Sequence, residues 1–174
     1  MRLQAMAKII PASIALTTIL ASCAAIAQMG GSSMVLAPAD LEKMFPAAVY
    51  YNGQSAPAQL RNSGGVKFAD GHFVLVSLVD TSGYSTGVAA KYQGYLIAEV
   101  PLKMEGKLLA AGAYGFGFLE GGKFLVTDLG GHDVLTVHAA TDDAMKRPRP
   151  LQVIAVPAGG FRLYAGRSYV HFDR

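Results

Sequence analysis

The pentapeptide Gly83-Tyr84-Ser85-Thr86-Gly87 sets a serine at the centre of the pattern G-x-S-x-G. Where that pattern carries chemistry, a strand-to-helix turn lifts the serine above a parallel sheet, beside backbone N–H groups that stabilise an oxyanion. Ser85 is therefore the candidate catalytic residue of a small serine hydrolase. The hydroxyl also needs a base within about 3 Å. The chain has four histidines, His72, His132, His138 and His171, and none has a spacing that directs it to Ser85. An apolar run precedes the motif, but the alternating helices that a parallel sheet requires are missing. A loop rich in Gly, Ser and Thr yields this pentapeptide by chance, so the hydrolase stands as the alternative and a flexible loop as the favoured reading.

Metal chemistry finds less support. "GHDVLTVH" offers His132, Asp133 and His138. Six residues of extended chain at about 3.3 Å each separate the two histidines by roughly 20 Å. Ligands of one ion must each lie near 2 Å from it, so that pair cannot chelate within a single strand. Asp142-Asp143 precedes Lys146-Arg147-Pro148-Arg149, and the favoured reading is a solvated loop in which the acids offset the bases. No acidic calcium loop, phosphate loop or dinucleotide fingerprint is present. The expectation is a protein without metal or cofactor. Eight tyrosines and eight phenylalanines with no tryptophan argue for core filling over sugar stacking, with Tyr114, Phe116 and Phe118 on one face of a strand.

The elements that position these residues follow an export signal. Arg2 and Lys8 precede the apolar run "IIPASIALTTIL", which at 12 residues is too short to span a bilayer, where about 20 are needed. Ala25-Ile26-Ala27 before Gln28 is an A-x-A cleavage site, giving a signal peptide over 1–27. Leu20-Ala21-Ser22-Cys23 resembles the lipobox of bacterial lipoproteins, and that resemblance implies an alternative cut before Cys23 with a lipid on its sulfur. Cys23 is the only cysteine, so the exported domain must be stable without disulfides. The expected location is periplasmic or extracellular, or membrane-tethered if Cys23 is acylated. Removing the signal leaves 13 basic against 12 acidic residues. Such a balance supplies no field for nucleic acid.

Residues 28–46 read as a flexible leader with a short helical turn at "PADLEKMF", stopped by Pro46. Residues 47–174 read as one all-β domain. Asn52-Gly53 and Asp70-Gly71 are hairpin turns, the second pairing Phe68 with Phe73 across a two-residue turn. "FVLVSLV" is apolar on both faces except for Ser77, which predicts a central strand covered on both sides. "YLIAEVPLKM" reads as one strand with Pro101 near an edge or bulge. About ten short strands with glycine turns predict an antiparallel β-sandwich or barrel. The passage "LLAAGAYGFGF", echoed in "VPAGGFRLY", resembles small exported bacterial β-domain proteins to which no activity is assigned. That resemblance implies an envelope β-domain and brings no functional residues. The expected function is a non-enzymatic cell-envelope protein, structural or binding, whose partner or small ligand the sequence does not name.

Overall fold

The computed structural model describes residues 32–174. The signal peptide and Cys23 lie outside the described residues. Among the described residues fourteen strands and two short helices follow in the order β1 (Met34–Leu36), α1 (Pro38–Leu41), β2 (Ala48–Tyr51), β3 (Gln54–Lys67), β4 (Phe73–Val79), α2 (Thr86–Lys91), β5 (Gly94–Ala98), β6 (Leu102–Met104), β7 (Lys107–Leu109), β8 (Gly112–Leu119), β9 (Lys123–Thr127), β10 (Asp133–His138), β11 (Ala140–Thr141), β12 (Arg149–Ala155), β13 (Phe161–Gly166) and β14 (Ser168–Asp173). The fold is mostly β, in two antiparallel sheets. The larger runs β1-β3-β4-β5-β8-β9-β10 with β2 paired to β3. The smaller runs β12-β13-β14-β6-β7 with β11 paired to β14.

The turns show how local chemistry sets register. Tyr51 pairs with Gln54, and Asn52 and Gly53 between them take φ of 46° and 82°, the left-handed pair that a two-residue hairpin requires. The Asp70-Gly71 turn differs from expectation. Lys67, not Phe68, pairs with Phe73, and the Phe68 N–H donates to the His72 carbonyl at 2.8 Å. The loop therefore holds three residues, with Gly71 at φ 93° and the Asp70 carboxylate accepting from the His72 N–H. One extra residue reverses which face a side chain takes. Phe68 enters the space between the sheets, edge-on to Phe161 at 6.0 Å, while Phe73 packs on the other side of the larger sheet. Glu105-Gly106, at φ 47° and 78°, forms a second two-residue turn between Met104 and Lys107.

"YLIAEVPLKM" is not one strand. It breaks before Pro101, which has no N–H to give a ladder. Its first half joins the larger sheet as β5 and its second joins the smaller as β6.

Two apolar clusters result. The first draws on both sheets and includes Val74, Val76, Leu96, Phe116, Phe124, Leu163, Val170 and Phe172. The second lies against the opposite face of the larger sheet and includes Leu41, Phe45, Tyr51, Leu75, Val79, Tyr92 and Tyr95. Strand β4 feeds both, Val74 and Val76 to one side and Leu75 and Val79 to the other, as a run apolar on both faces except for Ser77 predicts. Each fully buried Phe or Leu contributes about 1.5–3 kcal/mol of transfer free energy.

The short helical turn expected in 28–46 is α1, but the flexible-leader reading is corrected at Met34. Met34–Leu36 is an edge strand paired with β3, and Leu36, Leu41 and Phe45 are buried. Along β8, Phe116 is fully buried while Tyr114 and Phe118 pack at the margin of the first cluster. Gly115 and Gly117 alternate with them because the other face is crowded there. A Cβ at Gly115 would lie 2.6 Å from the Tyr51 ring and 2.8 Å from the Thr127 hydroxyl. One at Gly117 would collide with the Lys91 carbonyl at the end of α2. Among the described residues no helix is long and apolar enough to cross a membrane.

Candidate functional site

Ser85 sits between a strand and a helix, as its motif suggests, but the chain there does other work. It is the N-cap of α2, with φ −62° and ψ 154°. That is relaxed extended backbone, whereas a nucleophile elbow holds its serine on a strained turn. The Ser85 Oγ accepts from the Val88 N–H at 3.4 Å, which satisfies one of the donors that a helix start leaves open. The neighbouring Tyr84 pins the loop: its hydroxyl donates to the carbonyls of Tyr51 at 3.0 Å and Gln54 at 3.2 Å. The loop expected to be flexible is thus fastened to the β2–β3 hairpin.

Three of the histidines are engaged elsewhere. His72 Nδ1 lies 3.1 Å from Asp70. His132 Nδ1 lies 3.0 Å from Asp128, whose carboxyl is held below the usual range chiefly by the N–H of His132. His171 Nε2 contacts the Gly159 carbonyl at 3.1 Å. His132 stands in the turn before β10 and His138 at the far end of that strand. Among the described residues no three His, Cys, Asp or Glu side chains converge as metal ligands.

A gathering of polar and aromatic side chains lies on the outer face of the smaller sheet. Strand pairing sets it out in rows, Gln152-Tyr164-Tyr169 and Ile154-Arg162-His171, while the intervening Val153, Leu163 and Val170 point into the core. The Arg162 guanidinium lies 4.3 Å from the Tyr169 ring centre, a cation–π contact. Its Nη1 donates to the Tyr164 hydroxyl at 3.3 Å, and that hydroxyl donates to Asp142 Oδ2 at 3.1 Å. The Tyr164 and Tyr169 rings are 5.1 Å apart. Burial pushes the Tyr164 phenol up from its ordinary range, and the Tyr164 contact raises Arg162 further.

Asp142 is therefore not a merely solvated acid. Its carboxylate ties the segment between β11 and β12 onto the sheet. Its own N–H donates to the Arg167 carbonyl at 2.9 Å, and Gln152 donates to Met145 Sδ at 3.4 Å. This arrangement escaped sequence reading because Asp142 and Tyr164 stand 22 positions apart. The only available signal was the alternation in "FRLYA" and "SYVHF", which sets Arg, Tyr and His on a face opposite Phe, Leu and Val. Two shallow depressions lie elsewhere, one lined by Ser32–Met34 and Lys67–Gly71, the other by residues of the β6–β7 and β8–β9 turns and β10. Asp70 in the first is already paired with Arg174 and His72.

No family model, curated protein or solved structure matches the chain.

Proposed function

We propose that the protein is an exported cell-envelope domain, a two-sheet sandwich that acts by binding and not by catalysis, with the outer face of the smaller sheet as its binding surface. One observation carries the reading. Arg162, on the outer face of the smaller sheet, is held between Tyr164 and Tyr169 with its Nε buried and unpartnered among the described residues. An unmet buried donor costs about 1–3 kcal/mol, so an aliphatic residue would serve stability better at that position. Arg and Tyr ordered side by side present a rigid surface, partly apolar and partly donor-rich, of the composition that binding sites favour. The relaxed, capped state of Ser85 supports the non-catalytic part. Export rests on residues 1–27, and the location follows as periplasmic or extracellular, or membrane-tethered if Cys23 carries lipid.

Native mass spectrometry of the protein recovered from its own envelope tests this. It reads the N-terminus, any acyl chain, the oligomer and any bound ligand together. The expected result is a bound species that disappears in a folded Arg162→Ala/Tyr169→Ala variant. A species retained in full by that variant refutes the assigned surface. Stoichiometric fluorophosphonate labelling that Ser85→Ala abolishes would establish the hydrolase instead.

A further inference from the structure

The fold brings together basic residues that the sequence separates. Arg149 opens β12 directly across from Gly166, so the exposed Arg167 of the β13–β14 turn joins the exposed Lys146, Arg147 and Arg149. The Arg167 carbonyl accepts from the Asp142 N–H, which fixes the turn to the segment bearing the other three. Among the described residues none of the four makes an ion pair. The two acids that would offset them are not equivalent. Asp142 faces Tyr164 and lies in the field of Arg162, and only Asp143 stands exposed beside the cluster. Five cations against two carboxylates meet at this end of the sheet. On the same outer face Ile154 is 39% exposed and Tyr169 is half-buried.

We propose that this end of the smaller sheet docks on anionic lipid headgroups of a bilayer, a partner class for the binding face proposed above, on which it rests. Phosphate oxygens take the four free cations. Ile154 and the Tyr169 ring meet the headgroup–acyl boundary, where amphipathic aromatics and apolar side chains are stabilised. A soluble polyanion would engage the cations but has no use for the apolar members of the face.

The chain from Gln28 onward, which contains every described residue, is sedimented with phosphatidylcholine vesicles with and without phosphatidylglycerol. The expected result is binding only to the anionic vesicles, weakened by salt. Lys146→Gln, Arg147→Gln, Arg149→Gln and Arg167→Gln should each reduce it about fivefold, in line with the usual contribution of one basic residue at such a surface. Arg167→Gln decides the matter, since only the fold places it in the cluster. Equal binding to neutral vesicles, or full binding by Arg167→Gln with its fold intact by circular dichroism, overturns the proposal. So does release from vesicles by inorganic phosphate at matched ionic strength, or preference for a soluble acidic polysaccharide. If vesicle binding fails while a ligand dependent on Arg162 and Tyr169 is still recovered, the lipid inference falls alone. If neither is seen, the binding face falls with it.

Discussion

Replacing Tyr92 with phenylalanine should stabilise the protein. The Tyr92 ring is fully buried, stacked on Tyr51 at 3.8 Å and 12° and met edge-on by Tyr84 at 5.4 Å. Its hydroxyl is buried and has no hydrogen-bond partner among the described residues. The substitution keeps the ring and its contacts and removes one oxygen. An unsatisfied buried polar group costs about 1–3 kcal/mol. The void left by one oxygen gives back only a few tenths of that, at about 24 cal/mol per Å³. The expected net gain is about 1 kcal/mol, seen as a rise in Tm of about 2–4 °C for a domain of this size. Tyr51→Phe is the control of opposite sign. Its hydroxyl bonds Thr127 Oγ1 at 2.9 Å in a buried setting, so its removal should cost about 1 kcal/mol. Urea and thermal unfolding of the two variants, followed by circular dichroism, give both numbers. A second readout comes from alkali. Burial holds the Tyr92 phenol above its ordinary value of 10.0, so above that pH the unfolded chain releases a proton that the folded one keeps. The unfolded state then binds fewer protons, and stability falls as pH rises beyond 10. Tyr92→Phe should shallow that decline. A Tyr92→Phe variant less stable than the parent by a kilocalorie or more would refute the reasoning.

Three further outcomes are expected. Asp70, held at about pKa 2 chiefly by the Arg174 guanidinium, should contribute stability present above its ordinary 3.8 and lost as pH falls through about 2. A carboxyl-detected NMR titration of Arg174→Ala should show that pKa moving back toward 3.8. Ser85→Ala should cost about 0.5–1 kcal/mol through the lost cap, measured by chemical denaturation, and the parent should resist fluorophosphonate; a neutral variant would remove the capping account. Gly117→Ala should destabilise by about 1–3 kcal/mol, the usual range for overpacking, because its Cβ drives into the Lys91 carbonyl; unchanged thermal unfolding would show that α2 yields freely.

What the residues disclose in advance depends on how far apart the partners lie. Asn52-Gly53 fixes its hairpin within four residues, and the apolar run of β4 announces burial on both faces without reference to any neighbour. The Asp70-Gly71 loop shows where local reading fails, since two- and three-residue turns use the same dipeptide and the longer one is held in place by long-range contacts of Phe68 with Phe161 and of Asp70 with Arg174. The break at Pro101 is legible as a break, but the move to the other sheet is not, because nothing in ten residues specifies a destination. The second apolar cluster was hidden for a similar reason. Leu41 and Phe45 meet Tyr92 and Tyr95 only after about fifty residues of intervening chain have folded. On the site, Ser85 was found by pattern and its role came from the helix it caps. Arg162, Tyr164 and Asp142 form no pattern in one dimension.

The place of β14 in the smaller sheet has a consequence for timing. It lies between β13 and β6, pairing Phe172 with Met104, so two hairpins made far apart in the chain are joined by a strand that emerges after both. As synthesis proceeds from the N-terminus, the larger sheet can assemble by strand β10 while β6 and β7 wait, bound to nothing on their open side. Until the strands of the smaller sheet from β12 onward arrive, Phe116, Phe124 and Val126 present an uncovered apolar wall to the solvent. Closure of such long-range pairings is slow, and half-built sheets with bare faces aggregate. The nascent chain is thus most in need of a holding factor between the emergence of β10 and that of β14, and least in need of one once Phe172 has locked the two hairpins together.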